Sequence, residues 1–349
     1  MALKKIFHFF PTPRYLKFSY VGVEISSDCL KYAELTNDGK GTGLGRHGII
    51  PFPFTEDIFE SESVKKALKD MKERDKVNFI KATLPEEMTY LFTLDVEGDN
   101  EVEIKNYIEF HLEENVPLSG GDALFDFYMI PGASKKAIVS VVSAQNVEKY
   151  ISLFESVGIE PVAFMVESSS LSRSIIKRGS KEANLIVYLS EHKTVCSIVS
   201  DGFVQFSSTI SSGGSLLTEV LKKQFNVSEE EARKMKETKG FTKQEGNEEL
   251  FSMFMNSSSV LRDEIQRVAI FWQTHKDKDG KNPIQKIILC GRDAVMPGLA
   301  DYLSSSLKIP VETANVWKNI PRYVDEVPPV NYRDSLDFGA CLGLSLQGS

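Results

Sequence analysis

The chain has 349 residues, 42% hydrophobic and 26% charged, enough for two or more compact units with full cores and no need of disulfide or metal staples. Its 41 basic and 49 acidic residues give a net charge of −8, which argues against nucleic-acid binding, where affinity rests on Lys and Arg meeting phosphates. No apolar run approaches the ~20 residues of a membrane span, and the start lacks the apolar core and small-residue cleavage site of a signal peptide.

Residues 1–18 form an N-terminal extension, aromatic and lightly basic, in which Pro11 and Pro13 prevent a continuous amphipathic helix. Phe9, Phe10 and Leu16 are expected to pack on the body or to stay disordered. From there the spacing predicts a buried strand over 20–25, a polar turn at 26–28 and a strand over 29–35. The signal Asn37-Asp38-Gly39 then turns the chain into a third strand reaching about residue 50. A helix over 61–71 follows through Val64, Leu68 and Met71, and then a buried strand over 77–84.

An insertion comes next: a strand at 88–95, a helix at 99–113, strands at 123–130 and 136–143, and a helix at 146–157 carrying Val147, Ile151 and Phe154. That order suffices for a small α+β unit. Past it the first pattern returns. A strand at 185–189, a turn at 190–193, a strand at 194–199 and the pair Asp201-Gly202 lead into a strand at 203–210. A helix at 215–225 follows, with a buried strand at 286–290. A helical insertion from 228 to about 283 separates these last two, charged at first and then amphipathic, as a solvated helix face would be. The echo predicts a two-lobed α/β protein with a ligand in the cleft between the lobes, beside the strand-to-strand turns at 25–28 and 189–193.

Cys29, Cys196, Cys290 and Cys341 are far apart and form no CxxC. No histidine stands at a metal-ligand spacing, so three of the cysteines read as buried hydrophobes in a reducing compartment. No Walker loop and no Gly-x-Ser-x-Gly elbow is present, and Lys40-Gly-Thr-Gly-Leu-Gly45 opens no helix.

Six stretches, in order, carry a family resemblance: Val23-Glu-Ile-Ser-Ser-Asp-Cys-Leu-Lys31, Leu84-Pro-Glu-Glu87, Ile108-Glu-Phe-His-Leu-Glu-Glu-Asn-Val-Pro117, Ile210-Ser-Ser-Gly-Gly-Ser-Leu-Leu-Thr218, Ile288-Leu-Cys-Gly-Arg-Asp-Ala-Val-Met-Pro-Gly-Leu299 and Ala340-Cys-Leu-Gly-Leu-Ser-Leu346. Together they resemble the type IV pilus assembly protein PilM family, relatives of the cell-division protein FtsA. The resemblance implies a two-lobed actin-like (ribonuclease-H-like, duplicated) α/β fold with an inserted α+β, SHS2-like subdomain. Its divisions would be a first core of 19–86, 160–181 and 327–349, the insert at 87–159, and a second lobe at 182–326.

By the same resemblance ATP and Mg2+ would sit in the cleft, the metal on Glu24. The nucleotide contacts would be Glu24, Ser26, Ser27, Lys31, Ser190, Gly213, Gly214, Lys236, Gly291 and Arg292. The chain departs from the family at several of these places. Glu24 replaces a shorter Asp, Ser26 and Ser190 replace glycines, Tyr188 stands at the second carboxylate position, and Arg292-Asp293 replace two glycines of the adenosine loop. Tyrosine is neutral near pH 7, so the means of orienting water for hydrolysis is lost.

The implied role is a cytoplasmic scaffold of a type IV pilus, or related secretion or competence, platform. It would bind the cytoplasmic N-terminal peptide of a PilN-like bitopic membrane protein and reach the inner face of the membrane through that partner. The groove would involve Leu84, Tyr90, Phe92 and Val166. An active or slow ATPase or nucleotide-dependent switch of the same fold is the alternative, and self-association stays open. A terminal amphipathic tether of the FtsA kind is not expected, since the sequence stops right after the last core helix.

Overall fold

The computed structural model describes residues 20–37, 39, 41–130, 135–243, 246–276 and 282–346. The expectations for residues 1–18 and for Asp38 lie outside the described residues. Strands β1 (Val21–Ile25), β2 (Cys29–Asn37) and β3 (Thr42–Pro51) form the first meander. Helix α1 (Glu62–Asp75) then buries Val64, Ala67, Leu68 and Met71, the one-sided spacing of an amphipathic helix, and leads to β4 (Phe79–Leu84). With β8 (Glu160–Val166) these strands make a five-stranded sheet in the order β3-β2-β1-β4-β8, in which β1, β4 and β8 run parallel.

The second lobe repeats that order. Strands β9 (Ala183–Leu189), β10 (Thr194–Ser200), β11 (Phe203–Ile210), β12 (Ile284–Cys290) and β13 (Val311–Thr313) assemble as β11-β10-β9-β12-β13. β9 and β10 are buried along their whole length, as a sheet covered on both faces requires.

A third, antiparallel sheet, β5-β7-β6, comes from β5 (Thr89–Asp95), β6 (Ala123–Met129) and β7 (Lys136–Ser143). It has its own core, in which Val139 and Val141 meet Ile108 of helix α2 (Glu101–Phe110) and Leu112 of the short α3 (Leu112–Asn115). Asn100 caps α2 by accepting hydrogen bonds from the N–H groups of Val102 and Glu103. The single helix expected over 99–113 is broken at His111.

Helix α4 (Ala144–Ser156) differs from its sequence grouping. Counted with the insert, it packs Tyr150, Leu153 and Phe154 into the core of the first sheet, beside Leu68, Met71 and Ile80. The reason is geometric: β7 and β8 belong to different sheets, and the helix joining them lies over the second of these, where its apolar face is buried.

Two helices cross between the lobes, α5 (Glu167–Ile175) and a terminal helix, Gly339–Ser345. Their contact is backbone-close. A Cβ on Gly343 would overlap the Ser170 carbonyl, and one on Gly22 would overlap the Cys341 carbonyl. Ser170 Oγ donates to the Ala340 carbonyl at 2.6 Å, and Ser345 Oγ to that of Ala33 at 2.8 Å. Leu171, Cys341 and Leu342 join the core of the second lobe to Ala33 of the first sheet.

Candidate functional site

The first strands of the two lobes end face to face. Glu24 on β1, Lys31 on β2 and Tyr188 on β9 are all buried. Lys31 Nζ lies 3.0 Å from Glu24 Oε1 and donates to the Tyr188 hydroxyl at 2.7 Å, while that hydroxyl donates to the same Glu24 oxygen at 2.8 Å. Ser26 Oγ adds a longer bond to Glu24 Oε1, at 3.3 Å. Burial pulls the Lys31 ammonium down, but Glu24 and then Tyr188 outweigh it and hold the amine well above the ordinary lysine range. Burial, followed by the Glu24 carboxylate, pushes the Tyr188 phenol well above its usual value, so it remains a neutral donor. Glu24 Oε2 is buried without a hydrogen-bond partner.

The turn after β9 is bonded at each of its positions. Ser190 Oγ donates to the Lys193 carbonyl at 2.8 Å, and Glu191 pairs with Arg233 at 2.9 Å. The His192 ring lies 4.5 Å from that of Phe54 in the first lobe. Lys193 Nζ reaches Glu167 Oε2 at 2.7 Å and Glu87 Oε2 at 3.0 Å. Burial alone would lower the Lys193 ammonium; Glu167 and then Glu87 raise it instead. Burial raises Glu167, Lys193 opposing it. It also raises Glu86, against bonds from Ser207 and Ser168; the Ser168 N–H and Oγ donate to its two oxygens at 3.2 and 3.0 Å.

Helix α6 (Gly214–Phe225) begins beside this turn, with Gly213 as its N-cap. Its first donors are already satisfied: Gly214 N–H donates to the Ser190 carbonyl at 3.0 Å and Ser215 N–H to that of Glu191 at 2.8 Å. Lys236, on helix α7 (Glu229–Thr238), donates to the Gly214 carbonyl at 2.9 Å and pairs with Asp293 Oδ2 at 2.7 Å. A Cβ on Gly214 would overlap that same Asp293 oxygen. A cavity of about 50 Å3 here is lined by Gly213, Gly214, Thr194, Ser258 and Asp293, room for a few waters.

The residues expected around a nucleotide thus fall into separate groups. Glu24, Lys31 and Ser26 meet one another, and Gly213, Gly214 and Lys236 gather around Asp293. The Ser27 carbonyl accepts the Thr55 N–H at 2.8 Å. Gly291, at φ +92°, sits against the Leu189 carbonyl where a Cβ would clash. Arg292 turns away, to Asp337 at 3.0 Å. Magnesium takes an octahedron of oxygens, usually from one or two carboxylates, phosphate and water. Among the described residues no cluster of acidic side chains gathers for a metal. Glu24 Oε2 is free but lies beside the Lys31 ammonium, and helix donors that would meet a phosphate are bound to backbone carbonyls. These residues do not fit a magnesium nucleotide as they stand.

Of the groove residues, Leu84 and Val166 are register partners at the ends of β4 and β8. Tyr90 and Phe92 lie opposite Val141 and Val139 on the inserted sheet, and Phe92 packs against that sheet's own core. Sequence reading did not single out Glu86, Glu167 or Lys193 as site residues. Their signal is tertiary, since Lys193 lies 106 positions from Glu87, and no local spacing marks such a pair.

The family model described as "Type IV pilus assembly protein PilM" matches residues 22–349. The fold is similar to that of a PilM–PilN type IV pilus biogenesis complex, with TM-score 0.73 at 17% identity over 95% of this chain and 98% of that one. It is also similar to MreB5 of Spiroplasma citri bound to AMPPNP, with TM-score 0.55 at 13% identity over 93% and 94%. The ethanolamine utilization protein EutJ from Carboxydothermus hydrogenoformans matches with TM-score 0.53 at 14% identity over 97% and 92%. At these identities the structures establish a shared actin-like architecture.

Proposed function

The chain belongs to the type IV pilus assembly protein PilM family, and on that premise we propose that it works as a binding scaffold with a degenerate nucleotide site. Its partner is the cytoplasmic N-terminal peptide of a PilN-like membrane protein, taken up in a groove between the first core and the inserted sheet. The chain stands at the inner face of the cytoplasmic membrane through that partner. No helix among the described residues is long and apolar enough to cross a membrane.

The observation that supports the groove is the edge position of β8. It is the last strand of its sheet, its Val162 is 39% exposed, and Val166 beside Leu84 closes its end. An extended peptide laid along such an edge gains main-chain hydrogen bonds and alternate side-chain pockets.

The test is fluorescence anisotropy of the full chain with a labelled cytoplasmic N-terminal peptide of a PilN-like membrane protein. Micromolar binding is expected, weakened at least ten-fold by Val162→Arg. Absence of binding, or binding indifferent to that substitution, would sink the groove.

A further inference from the structure

We infer that closure of the two lobes is set by the chain's own side chains, which stand where a metal and a phosphate would bridge the facing turns. Lys31 provides the cation between the first strands, and Lys193 ties the second turn to the first lobe and to the entry of the inserted sheet. This inference holds whatever peptide the groove takes.

The two lobes meet through bonds at Tyr188 and Lys193 and a ring contact at His192. At its floor Tyr188 of the second lobe bonds both Glu24 and Lys31 of the first. One turn higher, His192 lies against Phe54. Beside it Lys193 bonds Glu167 at the start of the crossing helix α5 and Glu87 just ahead of β5. A cleft that opened for a nucleotide would keep these positions small and its anion donors free. Here the glycine positions are Ser26 and Ser190, and the helix donors are bonded to Ser190 and Glu191 carbonyls.

Charge is balanced inside as well. The Lys31 ammonium answers Glu24 in the place of a cation, and the Asp293 carboxylate lies against Gly214 with Lys236 as its counter-ion. Buried charges are tolerated when paired and hydrogen-bonded. Hinged opening would part Tyr188 from both Glu24 and Lys31, and Lys193 from Glu167, in one motion, exposing buried charges to water. The closed state therefore needs no ligand. Because Glu87 adjoins β5, Lys193 also fixes the inserted sheet against the second lobe.

The experiment places spin labels on the full chain at Lys69→Cys in α1 and Ser305→Cys in the helix Leu299–Leu307, in a Cys29→Ser background. Double electron–electron resonance is expected to give one narrow distance without nucleotide, unchanged by ATP and magnesium. The neutral variant Glu24→Gln/Lys31→Met/Tyr188→Phe is expected to broaden it. A broad wild-type distribution that ATP and magnesium narrow would overturn the inference, as would an unbroadened distance in the folded variant.

Where that variant does not fold, hydrogen exchange of the unmutated chain decides. Amides of 21–31 and 185–193 are expected at full protection with or without ATP and magnesium; protection that nucleotide raises ten-fold would refute the idea. At the second cluster, Glu87→Gln/Glu167→Gln/Lys193→Met should speed exchange of 89–95 about ten-fold, and unchanged exchange there would remove Lys193 from the device.

Discussion

Tyr188 donates its hydroxyl to Glu24 across the cleft, 2.8 Å from oxygen to oxygen and 164 positions apart in the chain. The second lobe thus offers a phenol to a carboxylate that its own first lobe already pairs with an ammonium. A carboxylate at position 188 would instead face Glu24 as a like charge, in a place water does not reach.

Removing that hydroxyl tests its worth. Tyr188→Phe loses bonds to Lys31 and Glu24 while keeping the ring, and hydrogen bonds to charged partners contribute ~1.5–3 kcal/mol. Urea unfolding should show a loss in that range. Lys31→Met is expected to be worse, ~3–5 kcal/mol, because it strands a buried carboxylate. Equal stability of the phenylalanine variant and the parent would contradict the geometry.

ATP with magnesium should neither be turned over nor stabilise the chain. A ligand at a hundred times its dissociation constant adds ~2.7 kcal/mol, easily seen as a rise in melting temperature. No rise is expected at millimolar ATP, and phosphate release should stay far below ~1 per second, the low end of ordinary enzymes. Turnover at that rate would restore the ATPase reading.

The pivot is steric. Gly343→Ala drives a methyl group into the Ser170 carbonyl, backbone that cannot swing aside, and should cost ~1–3 kcal/mol or more. Gly121→Ala meets nothing within 4 Å and serves as the control, expected within ~0.5 kcal/mol of the parent. Matched denaturation midpoints for the two variants would mean the crossing helices are looser than described.

Glu86 gives a pH signature. Burial raises its folded pKa above the ordinary glutamate value, so the folded state holds its proton more tightly than the unfolded chain. Stability from this group is present below ~4.3, the unfolded glutamate value, and is lost as pH rises through the raised folded pKa. Glu86→Gln removes that loss. The variant should gain on its parent between pH 5 and 8, and the gain should shrink toward pH 4. A difference that stays flat across this range would count against the assignment.

The repeated meander was legible because alternating apolar runs and Asp-Gly turns are local signals, and both copies came out with the same strand order. Positions 24 and 188 stood out as departures at the two turns. What lay beyond reach was the bond between them: nothing in a tyrosine's neighbours says that it will meet a carboxylate 164 residues away. Asp293 was visible only as a departure from glycine, while its pairing with Lys236 depends on how α7 docks. Helix α4 was read as amphipathic, yet periodicity gives the apolar face and not which of two sheets that face will cover.

That placement of α4 decides where the inserted sheet can be cut out. Thr89 and Val142 are register partners on adjacent antiparallel strands, so the unit's two chain connections lie side by side, where a short turn would close them. Excision from 90 to 141 leaves Tyr150, Leu153 and Phe154 on the first lobe, whereas a cut carried on to 159 strips all three from its core. The transplantable module is the sheet with α2 and α3, and it stops short of the helix that follows it in the chain.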